Sequence, residues 1–175
     1  MGRYQMNIRH FAIKGEAFCK EPLHYTDCGL DNIYLRNGFS LDADEEDQYL
    51  TVADIDGLHR AIGMNIVLTR KAPSGKELRF LRHELKMSQA ELATVLSVSD
   101  QSVARWEKGQ CEANGAAVFA LRIIYLLSLV PDDERTSLLD GILERLKRLS
   151  EEDETTDDIV LSYVGKKWQA PTMAA

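Results

Sequence analysis

Ser88-Gln89-Ala90-Glu91-Leu92-Ala93-Thr94-Val95-Leu96-Ser97-Val98-Ser99-Asp100-Gln101-Ser102-Val103-Ala104-Arg105-Trp106-Glu107-Lys108-Gly109 is the stretch whose reading decides the fold. Ser88 followed three residues later by Glu91 is a capping box, in which the serine hydroxyl and the glutamate carboxylate each satisfy an orphan backbone N–H. Upstream, Ser74 and Glu77 repeat the signature. Each box precedes an apolar series, Leu78, Leu81 and Leu85 and then Leu92, Val95 and Leu96, which predicts two short helices in tight succession. A third short helix follows. Val103 and Trp106 stand three apart and share the face that can pack on the first two helices, while Asp100, Gln101 and Arg105 fall on other faces. Gly109 is expected to stop this helix by taking the left-handed conformation beyond its end.

The third helix therefore has an apolar back and a polar front of Gln, Ser and Arg. Gln pairs with adenine and Arg with guanine through paired hydrogen bonds in the major groove, so this face suits duplex DNA. Residues 88–109 resemble the lambda-repressor-like, Xre-type helix-turn-helix family. The resemblance rests on Ser88-Gln89 opening the second helix, Ala93 at its close-packing position, Val98-Ser99 in the turn, and Val103, Trp106, Glu107 and Gly109 after it. It implies that Gln89 bonds a phosphate, that Gln101 and Arg105 read bases with Ser99 and Asp100 beside them, and that Ser102 and Lys108 touch the DNA backbone. Asp100 departs from the Gln or Lys often found there. A carboxylate repels phosphate and accepts only from a base such as cytosine N4. Trp106 reads as core, not as a stacking residue.

The resemblance also implies a repressor of transcription, a homodimer reading an inverted repeat whose half-sites lie about one helical turn apart. The apolar stretch Ala116 to Val130 fits that expectation, being too apolar for a helix with one buried face, with Arg122 its single charge. Beyond it Arg135, Leu139, Ile142, Leu146 and Leu149 follow a heptad-like spacing.

The expected fold class is α+β. Residues 1–69 read as a small N-terminal α+β unit for dimerisation or partner binding. Residues 70–130 form the all-α helix-turn-helix domain. Residues 131–175 supply a C-terminal helix, an acidic linker and a short apolar tail with a strand at Ile159 to Val164. Within the first unit, Asn37-Gly38 flanked by apolar residues predicts a hairpin with a type I′ turn. An acidic loop (Asp42 to Asp47) precedes a strand at Tyr49 to Ala53. Asp56 is the expected cap of a helix from Gly57 to Val67 carrying Leu58, Ile62 and Ile66. Thr69 to Pro73 is the expected boundary.

A net charge of −7 sits poorly with phosphate binding, but its distribution does not. Residues 70–110 hold eight basic and five acidic side chains, whereas residues 1–69 and 111–175 are each at −5. A basic island between acidic arms suits a DNA reader. No apolar run reaches the roughly 18–20 residues of a membrane span, and the first residues lack the apolar core of a signal peptide, so the chain reads as cytoplasmic.

Cys19, Cys28 and Cys111 do not make a disulfide framework. The segment from Cys28 to Phe39, with Gly57 to Ile62, resembles bacterial regulators that carry a zinc-finger-like module before an Xre domain, some of them antitoxins that bind a protein toxin. Their two Cys-x-x-Cys pairs are missing here. Cys19, His24 and Cys28, with His10 as fourth ligand, could make only an irregular zinc site, and small buried thiols are the expectation. Gly-rich phosphate loops and nucleophile signatures are missing, so neither a cofactor nor an enzyme is expected.

Overall fold

The structure, a computed structural model, describes residues 9–10, 18–43, 48–130 and 158–170. The heptad-like residues 135–149 and most of the acidic run 151–158 lie outside them. The architecture is α+β, in two compact units. One comprises residues 1–27, 31–61 and 157–175, the other 28–30 and 62–156, so the division falls inside a helix and the 69–73 connector belongs to the second unit.

The first unit holds two sheets. Strands β1 (Arg9–His10), β4 (Phe39–Ala43) and β5 (Gln48–Val52) form an antiparallel sheet in the order β1-β4-β5. Strands β2 (Leu23–His24), β3 (Ile33–Leu35), β6 (Ile159–Val164) and β7 (Lys167–Gln169) form the other in that order, with β3 and β6 parallel and Ile33 opposite Ile159. Alternation explains the pairing. Ile33 and Leu35 of β3 and Ile159 and Leu161 of β6 all point inward and are buried, as are Phe39 and Trp168.

Asn37-Gly38 is not the hairpin turn that the sequence predicts. β3 and β4 belong to different sheets, and the dipeptide is the corner between them. Asn37 is fully buried, and its side chain does what a strand backbone would do. Nδ2 donates to the Tyr163 carbonyl at 3.1 Å and Oδ1 accepts the Tyr163 N–H at 2.6 Å. Gly38 has φ +76°, and a Cβ there would stand 2.7 Å from both the Trp168 ring and the Tyr163 Cβ. Gly38 has the positive φ expected of it but Asn37 does not, so the type I′ turn is not formed, and the side chains packed against the dipeptide make it a corner. The Trp168 indole N–H closes the unit by donating to the Ala53 carbonyl at 2.9 Å.

Helix α1 (Ile55–Thr69) starts two residues before its expected first residue. Its cap is Asp54, not Asp56. Asp54 sits at φ +49° and its Oδ1 accepts the Gly57 N–H at 3.1 Å. Leu58, Ile62 and Ile66 are buried as their spacing predicts.

The second unit continues with α2 (Gly75–Glu84), α3 (Gln89–Leu96), α4 (Asp100–Glu107) and α5 (Gly115–Ser128). Both capping boxes form, Ser74 with Glu77 and Ser88 with Glu91. Leu78, Leu81, Leu92, Ala93, Val103 and Trp106 close a common core with Ala117, Leu121, Tyr125 and Leu126 of α5. The charge that interrupts the apolar α5 has a task. Arg122 is buried, and its guanidinium donates to the carbonyls of Val67 (2.7 Å), Arg70 and Lys71 (3.0 Å). It satisfies the Val67 acceptor that the end of α1 leaves without a helical partner, and two carbonyls of the connector beyond it. Arg70 in turn pairs with Glu77 at 2.9 Å, so the connector is fastened at both ends. No helix among the described residues is long and apolar enough to cross a membrane.

Replacing Asn37 by Ala should leave both backbone groups of Tyr163 without these partners and cost about 2–3 kcal/mol of stability. Chemical denaturation checks this, and an unchanged midpoint would count against the account of the corner.

Candidate nucleic-acid interface

Helices α3 and α4 build the candidate interface, and three chain reversals position them. After α2, Lys86 takes φ +57°, with Lys86 N–H on the His83 carbonyl and Met87 N–H on the Arg82 carbonyl. After α3, Ser97 takes φ +55°, with its N–H on Thr94 and the Val98 N–H on Ala93. After α4, Gly109 takes φ +66°, with its N–H on Trp106 and the Gln110 N–H on Arg105. All three are Schellman endings, with paired bonds that satisfy the last carbonyls of a helix. Only the last uses the residue that adopts this conformation without cost. Lys86 and Ser97 went unrecognised in the sequence because neither is glycine or asparagine.

Ser99 caps α4. Its Oγ accepts the Ser102 N–H at 3.1 Å and lies 2.8 Å from the Ser102 hydroxyl, so these two residues hold each other. Asp100 Oδ1 accepts the Gln101 N–H at 2.8 Å. A carboxylate at this helix end also meets the positive pole of the helix dipole, which gives Asp100 a structural reason to be there. Behind, Val103 and Trp106 are buried; in front, Asp100, Gln101, Arg105 and Lys108 are exposed and Ser102 is half-buried.

The node of the motif is Glu107. Its carboxylate accepts Arg82 Nε at 2.6 Å, an Arg82 terminal nitrogen at 3.0 Å and Gln89 Nε2 at 2.8 Å. Arg82 donates its other terminal nitrogen to the Met87 carbonyl at 2.7 Å. The side chains of Arg82 and Glu107 are only 8% and 4% exposed. Burial alone would raise the Glu107 carboxyl, but hydrogen bonds from Arg82 and Gln89 and the charges of Arg82 and Arg79 prevail and hold it below its ordinary value. Gln89, half-buried at the start of α3, is thus oriented by α4. The sequence carried a signal for this pair. Arg82 lies four residues after Leu78 and three before Leu85, so it shares their inward face, where a charge needs a partner.

The sulfur and imidazole groups lie elsewhere. All three cysteines are half-buried free thiols, less enclosed than expected. Cys19 Sγ donates to the Arg36 carbonyl at 2.9 Å, and burial pushes this thiol up despite opposing backbone hydrogen bonds and the Arg36 charge. His24 stacks on Tyr34 and bonds the Asp31 carbonyl at 2.6 Å. Among the described residues no three His, Cys, Asp or Glu side chains are grouped to hold a metal ion.

Two measurements test this geometry. Ser97→Gly removes a left-handed penalty and should stabilise the protein by about 0.5–1 kcal/mol in thermal or chemical denaturation. Glu107→Ala, which strands the Arg82 charge, should cost about 3 kcal/mol or more at neutral pH. Because the folded carboxyl is held low, its contribution is complete above the ordinary value of about 4.3 and is lost as pH falls through the folded value. The stability gap between wild type and Glu107→Gln should therefore narrow in acid, and a gap independent of pH would refute the assignment.

Residues 78–121 match the model of the Helix-turn-helix family, which spans the core of α2 through the middle of α5. The HTH-type transcriptional regulator DicA of Escherichia coli (strain K12) is 40% identical over 53 residues, 30% of this chain and 39% of that protein's length. The chain therefore covers well under half of that relative. No solved structure matches it. The arrangement of α2 to α5 and these matches agree: residues 78–121 form a helix-turn-helix.

Proposed function

We propose that this protein is a DNA-binding regulator of transcription that represses its own gene through an inverted repeat. The observation that carries the reading is the outward face of α4. Gln101 and Arg105 are exposed one turn apart on a helix whose other face is fixed by Val103 and Trp106. Laid in the major groove, α4 gives Gln101 and Arg105 to base edges, with Ser99 and Asp100 at the entering end and Ser102 and Lys108 toward the strands. Gln89 keeps one amide N–H and its oxygen beyond the bond to Glu107. It opens α3, and backbone N–H groups at a helix start favour a phosphate.

The assembly that fits is a homodimer. Phe119 of α5 and Val95 of α3, 45% and 50% exposed, are the large apolar side chains of the second unit available to such a contact among the described residues. A second reading, that the protein is also an antitoxin, draws on the first unit. Its share of the chain is acidic, and Phe18 and Tyr49 are exposed on it. A basic protein toxin is the partner that fits such a surface. Its test is purification of the tagged protein from cells expressing the neighbouring genes, and recovery without a stoichiometric partner would dismiss it.

Selection of bound duplexes from a random library should return an inverted repeat with half-sites roughly 34–36 Å apart. On that site Arg105→Ala should lose about 1–3 kcal/mol of affinity and relax the preference at one base pair, with Gln101→Ala acting at another. Equal affinity of wild type and Arg105→Ala across the selected sites would sink the assignment of α4.

A further inference from the structure

Helix α2 stands outside the two helices that carry the reading above, yet it presents a basic stripe. Arg79 and His83 stand one turn apart on α2, and Lys86 follows in the left-handed reversal just beyond the end of the helix. All three are exposed. Among the described residues neither Arg79 nor Lys86 is ion-paired. Of the acidic residues of α2, Glu77 is buried in its capping box and the Arg70 pair, and Glu84 is half-buried. The stripe therefore offers its charge outward.

Its position relative to the interface follows from a continuous chain of contacts. Arg79 Nε approaches His83 Nε2 at 3.5 Å, and His83 Nε2 lies 3.4 Å from an Arg82 terminal nitrogen. That same nitrogen donates to Glu107 at 3.0 Å, and Glu107 accepts Gln89 at 2.8 Å. The Arg79 charge is near enough to help hold the Glu107 carboxyl low. Lys86 occupies the reversal two residues before Ser88, the cap of the helix that Gln89 opens. The stripe thus ends beside the anchor at the start of α3.

We propose that Arg79, His83 and Lys86 form a phosphate track, along α2 and into the reversal after it, that continues the contact made at Gln89 along the same DNA strand. Arg79 and His83 are separated by about 6 Å of helical rise, with Lys86 beyond the helix end, a run long enough for about two neighbouring phosphates. Such contacts carry no sequence information. They fix the register of α4 in the groove and supply salt-dependent affinity to any duplex. In a chain of net charge −7, the exposed cations Arg79 and Lys86 are what would bring DNA to this face and not to the acidic arms.

The inference rests on the reading of α4 as a DNA reader, and the experiment separates the two. Binding of wild type, Arg79→Gln, Lys86→Gln and the double variant to the selected duplex and to an unrelated one is followed over a decade of salt concentration. Thermal melting runs alongside to confirm that each variant is folded. Each lost contact should reduce the slope of log affinity against log salt by about 0.9, so binding that falls with salt does so roughly 8-fold less per decade. Affinity for both duplexes should drop by the same factor, leaving the ratio between them unchanged. If wild type does not distinguish the duplexes, the reading of α4 fails. If wild type does but the folded variants keep its slope, the track fails and the reading of α4 stands. A changed preference between duplexes would also overturn the track, since it would place these side chains on bases.

Discussion

One buried carboxylate holds the reading head together. Glu107, the last residue of α4, receives the guanidinium of Arg82 from α2 and the amide of Gln89 from α3. Three short helices, none longer than ten residues, are tied at a point where each alone would be marginal. Removing two charges from water is costly, and such a pair gains little over apolar packing unless its geometry is good and its remaining hydrogen bonds are met. Here they are: Arg82 also reaches the Met87 carbonyl, and Gln89 completes the carboxylate. What the arrangement adds is position, since an apolar contact would fix distance without fixing the rotation of the Gln89 amide.

Arg122 uses the same logic at the other side of the unit. A cation inside an apolar helix looks like a defect, but acceptors at the end of a preceding helix are equally unsuited to burial. Bringing the guanidinium to Val67, Arg70 and Lys71 answers both needs at once. It also makes the connector rigid: Arg70 bends on to Glu77, which belongs to the capping box of α2. The helix-turn-helix is therefore entered through a segment held by charge at each step.

How much of this was legible depended on the range of the forces involved. Capping boxes, the Leu78–Leu81 and Val103–Trp106 faces and the stop at Gly109 depend on neighbours within four residues, and the sequence shows them directly. The carboxylate that Arg82 meets is 25 residues away and the carbonyls that Arg122 meets are 51–55 residues away, so a lone buried charge signals only that some partner exists. Asn37-Gly38 shows the opposite failure. The local rule placed a positive φ at Gly38 but wrongly at Asn37 too, and residues 163 and 168 decide what the dipeptide connects. Asp54 and not Asp56 caps α1, since its carboxylate is the one that reaches the Gly57 N–H.

The strand β6 has a consequence for how the molecule is made. It pairs with β3 in parallel, and the Asn37–Tyr163 bonds beside it join residues 126 apart in the chain. During synthesis the helix-turn-helix has all its core residues, through Leu126, before either C-terminal strand exists. The first unit must wait with one edge of β3 unpaired. Closing so long a loop is slow, though the intervening helices shorten its effective length once folded. Residues 159–169 are therefore a structural member of the N-terminal unit and not an appendage. Shortening the chain by those residues would remove two of the sheet's four strands, and with them Ile159, Leu161 and Trp168, from a core formed mostly by residues translated first.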